Sequence, residues 1–498
     1  MITLVNPFTR RDNDTYLPQW EVCEHLGIAS LMGALRAQGY QCAVVNAYLR
    51  ELTESEAVDA VLQTSPSMVG ISILNENYAW SKAFAKRLKA RAPGLPIVVG
   101  GYFPTILGPR VLDDCPEIDF VIRGDGETPL VALAQATVDQ CATLDQVPGL
   151  IYRSGSGNRS TTLPAPPELD ALPFPERDDA SLAIRILQTA GASPAMRLMT
   201  SRGCSYRCSF CNIVEYARQV DGGRRRVRAH SPEYVCDQID TLIDRYGIRS
   251  FVISDDIFLD RSGRSKSRVE AFLDELDRRS TRIHFACQFR LDGFDEKTFE
   301  RMLEGGLVAV ACGIESIEQD TIDFLQKDTT NQVQLSAVQA LSRYSDQVNI
   351  SLYMLVYHPL TTMEEVAANY EFLDALGYFE SNPDSSITRK MLATELQVFR
   401  GGRLEAQLSQ LGLLTDDYNP QALEPAILPF RYLDPRVPQF RAAVYADQYH
   451  HPEVPTKLIF ERHLDDFLRR PGPARAELAN RWRSGRGPLI PLRTGAQG

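Results

Sequence analysis

Short apolar runs alternate with amphipathic stretches along most of the chain. Over residues 1–135 the runs Thr3–Pro7, Cys42–Tyr48, Met68–Leu74, Ile97–Gly101 and Phe120–Arg123 predict strands. Segments with helical spacing lie between them, around Leu26–Gln38, Ser55–Gln63, Tyr78–Arg91 and Gly108–Asp114, and a last helix begins near Pro129. This alternation predicts a doubly wound, Rossmann-like parallel α/β sheet over 1–135. The pattern breaks over 136–190. There Leu150-Ile151-Tyr152 and Ser154-Gly155-Ser156-Gly157 suggest a hairpin, and Pro164, Pro166, Pro167, Pro173 and Pro175 stiffen a linker. The alternation resumes over 191–410, with strands expected at Arg197–Thr200, Ser250–Ser254, Ile283–Arg290, Leu307–Ile314, Val348–Tyr357 and Glu395–Arg400. Helices are expected at Pro232–Tyr246, Lys266–Arg279, Asp295–Glu304, Gln334–Ser345 and Met363–Leu376. Six such units make a partial (β/α)6, TIM-like barrel, whose active site belongs at the carboxyl ends of its strands. Residues 411–498 are rich in proline and aromatics, including Tyr418, Phe430, Tyr432, Phe440, Tyr445 and Tyr449. They read as an α-rich C-terminal module or lid over the barrel.

Charge narrows the choice of partners. The chain has 53 basic and 64 acidic residues, a net charge of −11, which speaks against nucleic-acid binding through phosphates. The basic tail (Arg469, Arg470, Arg475, Arg481, Arg483, Arg486, Arg493) reads as a solvated helix end and loose terminus. The longest apolar runs, such as Leu307 to Ile314, are far too short to cross a bilayer, so no membrane association is expected. The N-terminus lacks a basic region followed by an apolar core, which makes the cytoplasm the expected compartment.

Seven of the ten cysteines are scattered, mostly through apolar segments. Cys204, Cys208 and Cys211 stand together in Ser201-Arg202-Gly203-Cys204-Ser205-Tyr206-Arg207-Cys208-Ser209-Phe210-Cys211-Asn212. Three thiolates at Cys-x₃-Cys-x₂-Cys spacing can hold three irons of a 4Fe–4S cube and leave the fourth iron open. Structural zinc wants four ligands, and the nearest further candidate, His230, is distant in sequence. In the first third, glycines gather where the strands end: Ser72-Ile73-Leu74-Asn75, Val99-Gly100-Gly101-Tyr102-Phe103 and Arg123-Gly124-Asp125-Gly126-Glu127. Bare backbone there suits a bulky ligand. On the glycines alone, tight turns in a flavodoxin-like domain serve equally well.

The cysteine motif, with Phe210 before its last member, resembles that of the radical S-adenosylmethionine (SAM) enzymes. Residues 1–135 resemble the cobalamin-binding domain that precedes many of them, best at Leu26–Leu31, Val69–Ser72, Gly100-Gly101 and Gly124–Glu127. Leu169–Asp178 resembles the linker between the two domains. The resemblance implies a 4Fe–4S cluster, SAM on its open iron, and cobalamin with its nucleotide tail near Ser72 and Gly100. Leu74, Asn75, Gly101, Tyr102, Phe103, Gly124, Gly126 and Glu127 would complete the cobalamin site. It also implies that Glu315, in Gly313-Ile314-Glu315-Ser316, binds the SAM amino group. Arg290, in Gln288-Phe289-Arg290, would pair with the SAM carboxylate, and Asp256 would face SAM hydroxyls or substrate. Where relatives carry Gly-x-Pro-Gly-Glu-Thr, this chain has Val356-Tyr357-His358-Pro359-Leu360-Thr361-Thr362-Met363-Glu364-Glu365, so Tyr353, Tyr357 and His358 become candidates to line the substrate pocket. An Asp-x-His-x-x-Gly motif is absent, so cobalt is expected to lack a histidine ligand; His25 should cap or pack against its helix.

The activity implied is methylation of an unactivated carbon in a small-molecule, natural-product intermediate. A 5′-deoxyadenosyl radical would activate that carbon and methylcobalamin would supply the methyl group. An electron donor such as flavodoxin or ferredoxin would reduce the cluster. Cyclisation or ring rearrangement without methyl transfer is the competing reading. A non-catalytic cobalamin or redox sensor is a second. An RNA or protein methylthiolase fits less well, because Cys23, Cys42 and Cys115 make no convincing second cluster set.

Overall fold

The computed structural model describes residues 1–9, 22–155, 157–222, 224, 227–377, 379, 392, 394–451 and 453–473. The strands of the N-terminal sheet are β1 (Ile2–Asn6), β2 (Cys42–Asn46), β3 (Met68–Ser72), β4 (Ile97–Gly100), β5 (Phe120–Ile122), β6 (Leu150–Ser154) and β7 (Gly157–Ser160). They lie in the order β2-β1-β3-β4-β5-β6-β7, and the first five are parallel. Successive side chains point to opposite faces. Leu4 joins Ile28, Met32, Val98 and Leu130 in one core, while Val5 joins Val45, Val69, Val99 and Phe84 in the other. Both faces are therefore covered by helices. The hairpin expected in the linker instead completes this sheet: β6 runs antiparallel to β5 and pairs with β7.

The rest of the linker crosses to the second domain. Arg177 is buried; it pairs with Glu24 and donates to the carbonyl of Arg197 at 2.7 Å and to Gln238 at 3.1 Å.

The second sheet holds β8 (Met196–Leu198), then, after the small hairpin of β9 (Ser201–Arg202) and β10 (Arg228–Ala229), β11 (Ser250–Ile253), β12 (His284–Arg290), β13 (Leu307–Glu315) and β14 (Asn349–Met354). Its order is β14-β13-β12-β11-β8, all parallel, a partial barrel lined outside by helices. The sixth position is reduced to a parallel bridge between Tyr357 and Glu395. The chain then forms β15 (Val398–Phe399), antiparallel to β16 (Ile427–Leu428).

The helices Arg436–His450 and Thr456–Leu468 do not cover the barrel mouth. They pack on the outer helix Met363–Ala375, with Tyr370 stacked between Phe379 and Phe460 and donating to Glu461 at 2.6 Å. The lid reading of this module is thus corrected for these two helices. Arg475, Arg481, Arg483, Arg486 and Arg493 lie outside the described residues. Among the described residues, no helix is long and apolar enough to cross a membrane.

Candidate active site between two sheets

The carboxyl ends of the two parallel sheets face each other across a cavity of about 430 Å³. One lobe runs into the N-terminal sheet between the helices Leu26–Ala37 and Glu127–Thr137. Leu4, Ile28, Leu31, Val98, Ile122 and Leu130 make it apolar. Its floor depends on missing side chains. A Cβ on Gly70 would stand 2.6 Å from Leu4 Cδ2, and one on Gly126 would stand 2.9 Å from Leu31 Cδ2. Gly101 has φ +107°, a backbone that glycine adopts without strain, and a Cβ there would meet the Ile73 carbonyl. A flat apolar group fits this lobe.

Ser72, Leu74, Gly100, Gly101, Tyr102, Gly124, Gly126 and Glu127 line the cavity. Asn75 and Phe103 do not belong to its lining. Phe103 is buried against Tyr78, with ring centroids 4.4 Å apart. The Asn75 side chain accepts from Asn212 at 2.8 Å and donates to the Ala426 carbonyl at 3.0 Å, tying the N-terminal domain to the cluster helix and the C-terminal segment.

At the mouth a chain of polar contacts joins the domains. Glu127 Oε1 accepts from Ser30 at 2.7 Å and from Arg202 Nη2 at 2.7 Å. Arg228 pairs with Asp125 at 2.7 Å, and Tyr216 donates to Asp125 at 3.0 Å. Burial opposes the Glu127 charge, but the Arg202 guanidinium outweighs it and holds the carboxyl below its ordinary range. Glu127 Oε2 is buried without a hydrogen-bond partner, so the carboxylate has a free acceptor at the cavity edge. Asp256 Oδ2 accepts from Gly203 N at 2.6 Å, one residue before Cys204, and burial raises its pKa. Asp255 was not singled out in the sequence. It is fully buried and accepts from the backbone N–H of Thr200 (2.6 Å) and Ser201 (3.0 Å) and from Arg268 (2.8 Å), fixing the strand that enters the cysteine loop.

Cys204, Cys208 and Cys211 share one apolar nest with Tyr206, Phe210 and Ile257. Burial pushes the Cys204 thiol up to about 11 and Cys211 to about 12, and it raises Cys208 against the opposing guanidinium of Arg290. Among the described residues, no group of three His, Cys, Asp or Glu side chains is arranged to hold a single metal ion. A cube differs in its demand, because each thiolate binds a separate iron at its own corner. The donor set of three soft sulfurs therefore fits an iron–sulfur cluster, and metal binding would draw off the protons that burial retains.

Glu315 ends β13 at φ +66°, the left-handed region that costs a non-glycine residue about 1–3 kcal/mol. The bare backbone of Gly313 leaves room for its carboxylate, which a Cβ there would meet. Lys327 is buried beside it, donating to Glu315 Oε1 at 2.9 Å and to the Gly313 carbonyl. Lys327 carries no local signal, since Gln326-Lys327-Asp328-Thr329 looks like a polar turn. The Gln288 amide donates to the Asp255 carbonyl at 3.1 Å. Ser316, Tyr357 and His358 have no open face. Ser316 donates to Glu365 at 2.7 Å, His358 lies 3.3 Å from the same carboxylate, and Tyr357 is buried under Arg441. They are core residues, contrary to expectation. Tyr353 is 47% exposed on β14, paired with Gly313 across the sheet.

Residues 21–134 match the B12 binding domain, and residues 198–373 match the radical SAM superfamily. An uncharacterized methyltransferase of Pyrococcus horikoshii is 26% identical over 441 residues, which cover 88% of this chain and 90% of that protein. The chain thus carries a B12 binding domain followed by a radical SAM domain, as cobalamin-dependent radical SAM enzymes do. It is also 27% identical over 324 residues to an anaerobic magnesium-protoporphyrin IX monomethyl ester cyclase of Rubrivivax gelatinosus, covering 63% of this chain and 56% of the cyclase. Among solved structures it is similar to the cobalamin-dependent SAM radical enzyme OxsB with aqua-cobalamin bound. That match has a TM-score of 0.71 at 17% identity, covering 90% of this chain and 67% of OxsB, and it shows a shared fold. The cofactors that the two domains imply are a 4Fe–4S cluster, SAM and cobalamin.

Proposed function

We propose that the enzyme methylates a carbon atom of a small-molecule biosynthetic intermediate held between its two domains. The observation that carries this reading is the single space shared by the glycine cradle of the N-terminal sheet and by Arg202, Gly203, Ser254 and Asp256 of the barrel. When bound, the cluster with SAM supplies a carbon radical that abstracts hydrogen, and cobalamin supplies the methyl group. Cys204, Cys208 and Cys211 would hold the cluster, and Glu315, held in place by Lys327, would bind the SAM ammonium group. Asp256, anchored to the loop backbone, would face SAM or substrate. Ser72, Leu74, Gly100, Gly101, Tyr102, Gly124, Gly126 and Glu127 would enclose cobalamin, with Glu127 Oε2 accepting one of its donors. The apolar lobe and the linker prolines exclude water from the space where the reaction runs.

His25 lines the same cavity but is set against ligation. Its Nδ1 accepts from Ile28 N at 3.1 Å, so in the neutral ring Nε2 carries the proton and faces Ser72 Oγ at 3.5 Å. Burial, helped by Arg197, lowers its pKa to about 4, so the ring is neutral at pH 7. We therefore assign cobalt no protein nitrogen. Reduction is assigned to a small flavin or iron–sulfur electron carrier.

The test is anaerobic turnover of reconstituted enzyme with SAM, cobalamin and candidate substrates. S-adenosylhomocysteine formed beside 5′-deoxyadenosine supports methylation. Formation of 5′-deoxyadenosine alone, with substrate converted, supports the cyclase-type alternative that the relationship to the magnesium-protoporphyrin cyclase favours. Failure of the reduced enzyme to cleave SAM at all would leave a sensor.

A further inference from the structure

Arg290 closes β12, where its guanidinium is fully engaged. Nε and Nη2 grip the two oxygens of Asp292 at 2.9 and 3.0 Å, and Nη2 also donates to the Lys327 carbonyl at 2.6 Å. The plane lies 3.7 Å above the ring centre of Tyr206, inside the cysteine loop. The remaining arm, Nη1, reaches Cys208 Sγ at 3.3 Å. A guanidinium clamped on one edge by a carboxylate and stacked on one face has little freedom to swing out to a substrate carboxylate. Its position serves the sulfur instead.

We infer that Arg290 is a positioning residue that donates a charge-assisted N–H···S bond to the iron-bound Cys208 thiolate and thereby raises the reduction potential of the cluster. This rests on the assignment of the three cysteines to a 4Fe–4S cluster. The physical reason is that one-electron reduction adds negative charge to the cube and its sulfurs. A fixed cation and a hydrogen bond at one thiolate stabilise the reduced state more than the oxidised one. The electron comes from the external carrier, and no bond is made or broken. The effect is local to Cys208: among the described hydrogen bonds, no side-chain N–H donor reaches Cys204 or Cys211. Asp292 aims the fork, and Tyr206 carries it on the loop that it serves.

The experiment is a redox titration of the full chain, reconstituted with iron and sulfide and without SAM, cobalamin or substrate. Dithionite in mediator solution sets the potential, and the EPR signal of the reduced cluster is read. R290Q is expected to hold four irons and four sulfides and to need a potential about 59 mV lower for half reduction, a tenfold change in a one-electron equilibrium. R290K, which keeps the charge without the clamped fork, is expected to fall between R290Q and the parent. If R290Q fails to take up iron, R290K carries the measurement. Unchanged potential in the loaded variants, with weakened SAM binding, would overturn the inference and return Arg290 to the SAM carboxylate. Loss of cluster from both folded variants would overturn it too, assigning the arginine to assembly. Absence of any cluster signal in the parent would sink the cysteine assignment itself, a distinguishable failure.

Discussion

Replacing Arg202 by methionine should separate the two domains energetically, and the size of the effect follows from the geometry at the cavity mouth. Arg202 stands two residues before Cys204, and Glu127 opens a helix of the N-terminal sheet. Their 2.7 Å pair has side-chain exposures of only 18% and 5%. Removing one partner from a buried pair leaves an uncompensated charge and costs about 3–5 kcal/mol. Here Ser30 still donates to Glu127, so about 3 kcal/mol is expected. The double variant E127Q/R202M removes both charges and should recover about 2 kcal/mol of that loss. The pH dependence gives a second handle. In the parent the Glu127 carboxyl is held below its ordinary value, so its contribution to stability is present above the unfolded-state pKa. That contribution is lost as pH falls through the folded-state pKa. Without Arg202, only the hydrogen bonds from Ser30 and the backbone oppose burial, so the folded pKa should rise and the variant should gain stability as pH falls from 7 toward 5. Urea unfolding of the cofactor-free chain at pH 7 and pH 5, followed by circular dichroism, measures both. A coupling energy below about 0.5 kcal/mol, or a variant that gains no stability relative to the parent between pH 7 and pH 5, would refute the claim that this pair joins the domains.

Other expectations are narrower. Gly70→Val should fold, at an overpacking cost of about 1–3 kcal/mol, yet lose cobalamin affinity at least about 100-fold by equilibrium dialysis, because the branched side chain occupies the apolar lobe; retained binding would move the ligand elsewhere. His25→Asn should keep the helix cap and leave the visible spectrum of bound cobalamin unchanged, whereas a shifted spectrum would reveal ligation. The same variant should resist acid better than the parent. A histidine lowered from 6.5 to about 4 contributes stability above pH 6.5 that is lost as pH falls toward 4, about 3 kcal/mol in all. Lys327→Met should destabilise the chain by about 3 kcal/mol in thermal unfolding through the Glu315 carboxylate it strands, and Lys327→Arg should recover part of this.

The fold was legible because hydrophobic periodicity records which face of an element meets a core. Leu4 and Val5 already announce a strand buried on both sides, and the five parallel strands of the N-terminal sheet appear in order. The hairpin looks like linker in the sequence because its second strand, Gly157–Ser160, is mostly exposed and polar and gains its place only by pairing with β6. The C-terminal helices were read as a lid because aromatic content says that a segment is covered without saying by what. The candidate site was legible where chemistry needs a fixed spacing, as in the three cysteines, and where glycines gather at strand ends, as at Gly100 and Gly101, which line the cavity.

Charged groups that act across the fold left no such mark. Asp255 and Asp256 are adjacent and identical in type, yet one is sealed under the entering strand and the other lines the cavity. Successive residues at a strand end point to opposite sides, so which is which depends on register and not on composition. Glu315 makes the same point through strain. The reading of Gly313-Ile314-Glu315 as a motif gave the acid its importance but gave the glycine no reason. The reason is that the left-handed turn at Glu315 folds the carboxylate back over position 313, where a side chain would block it. Lys327 then holds the carboxylate in that place from twelve residues away. Local strain and a distant buried cation therefore support one another. A strained acid without its lysine would relax into the barrel wall, and a buried lysine without the acid would be an unpaired charge. The two groups support one another across the fold, so the motif marks Glu315 in the chain while nothing local marks Lys327.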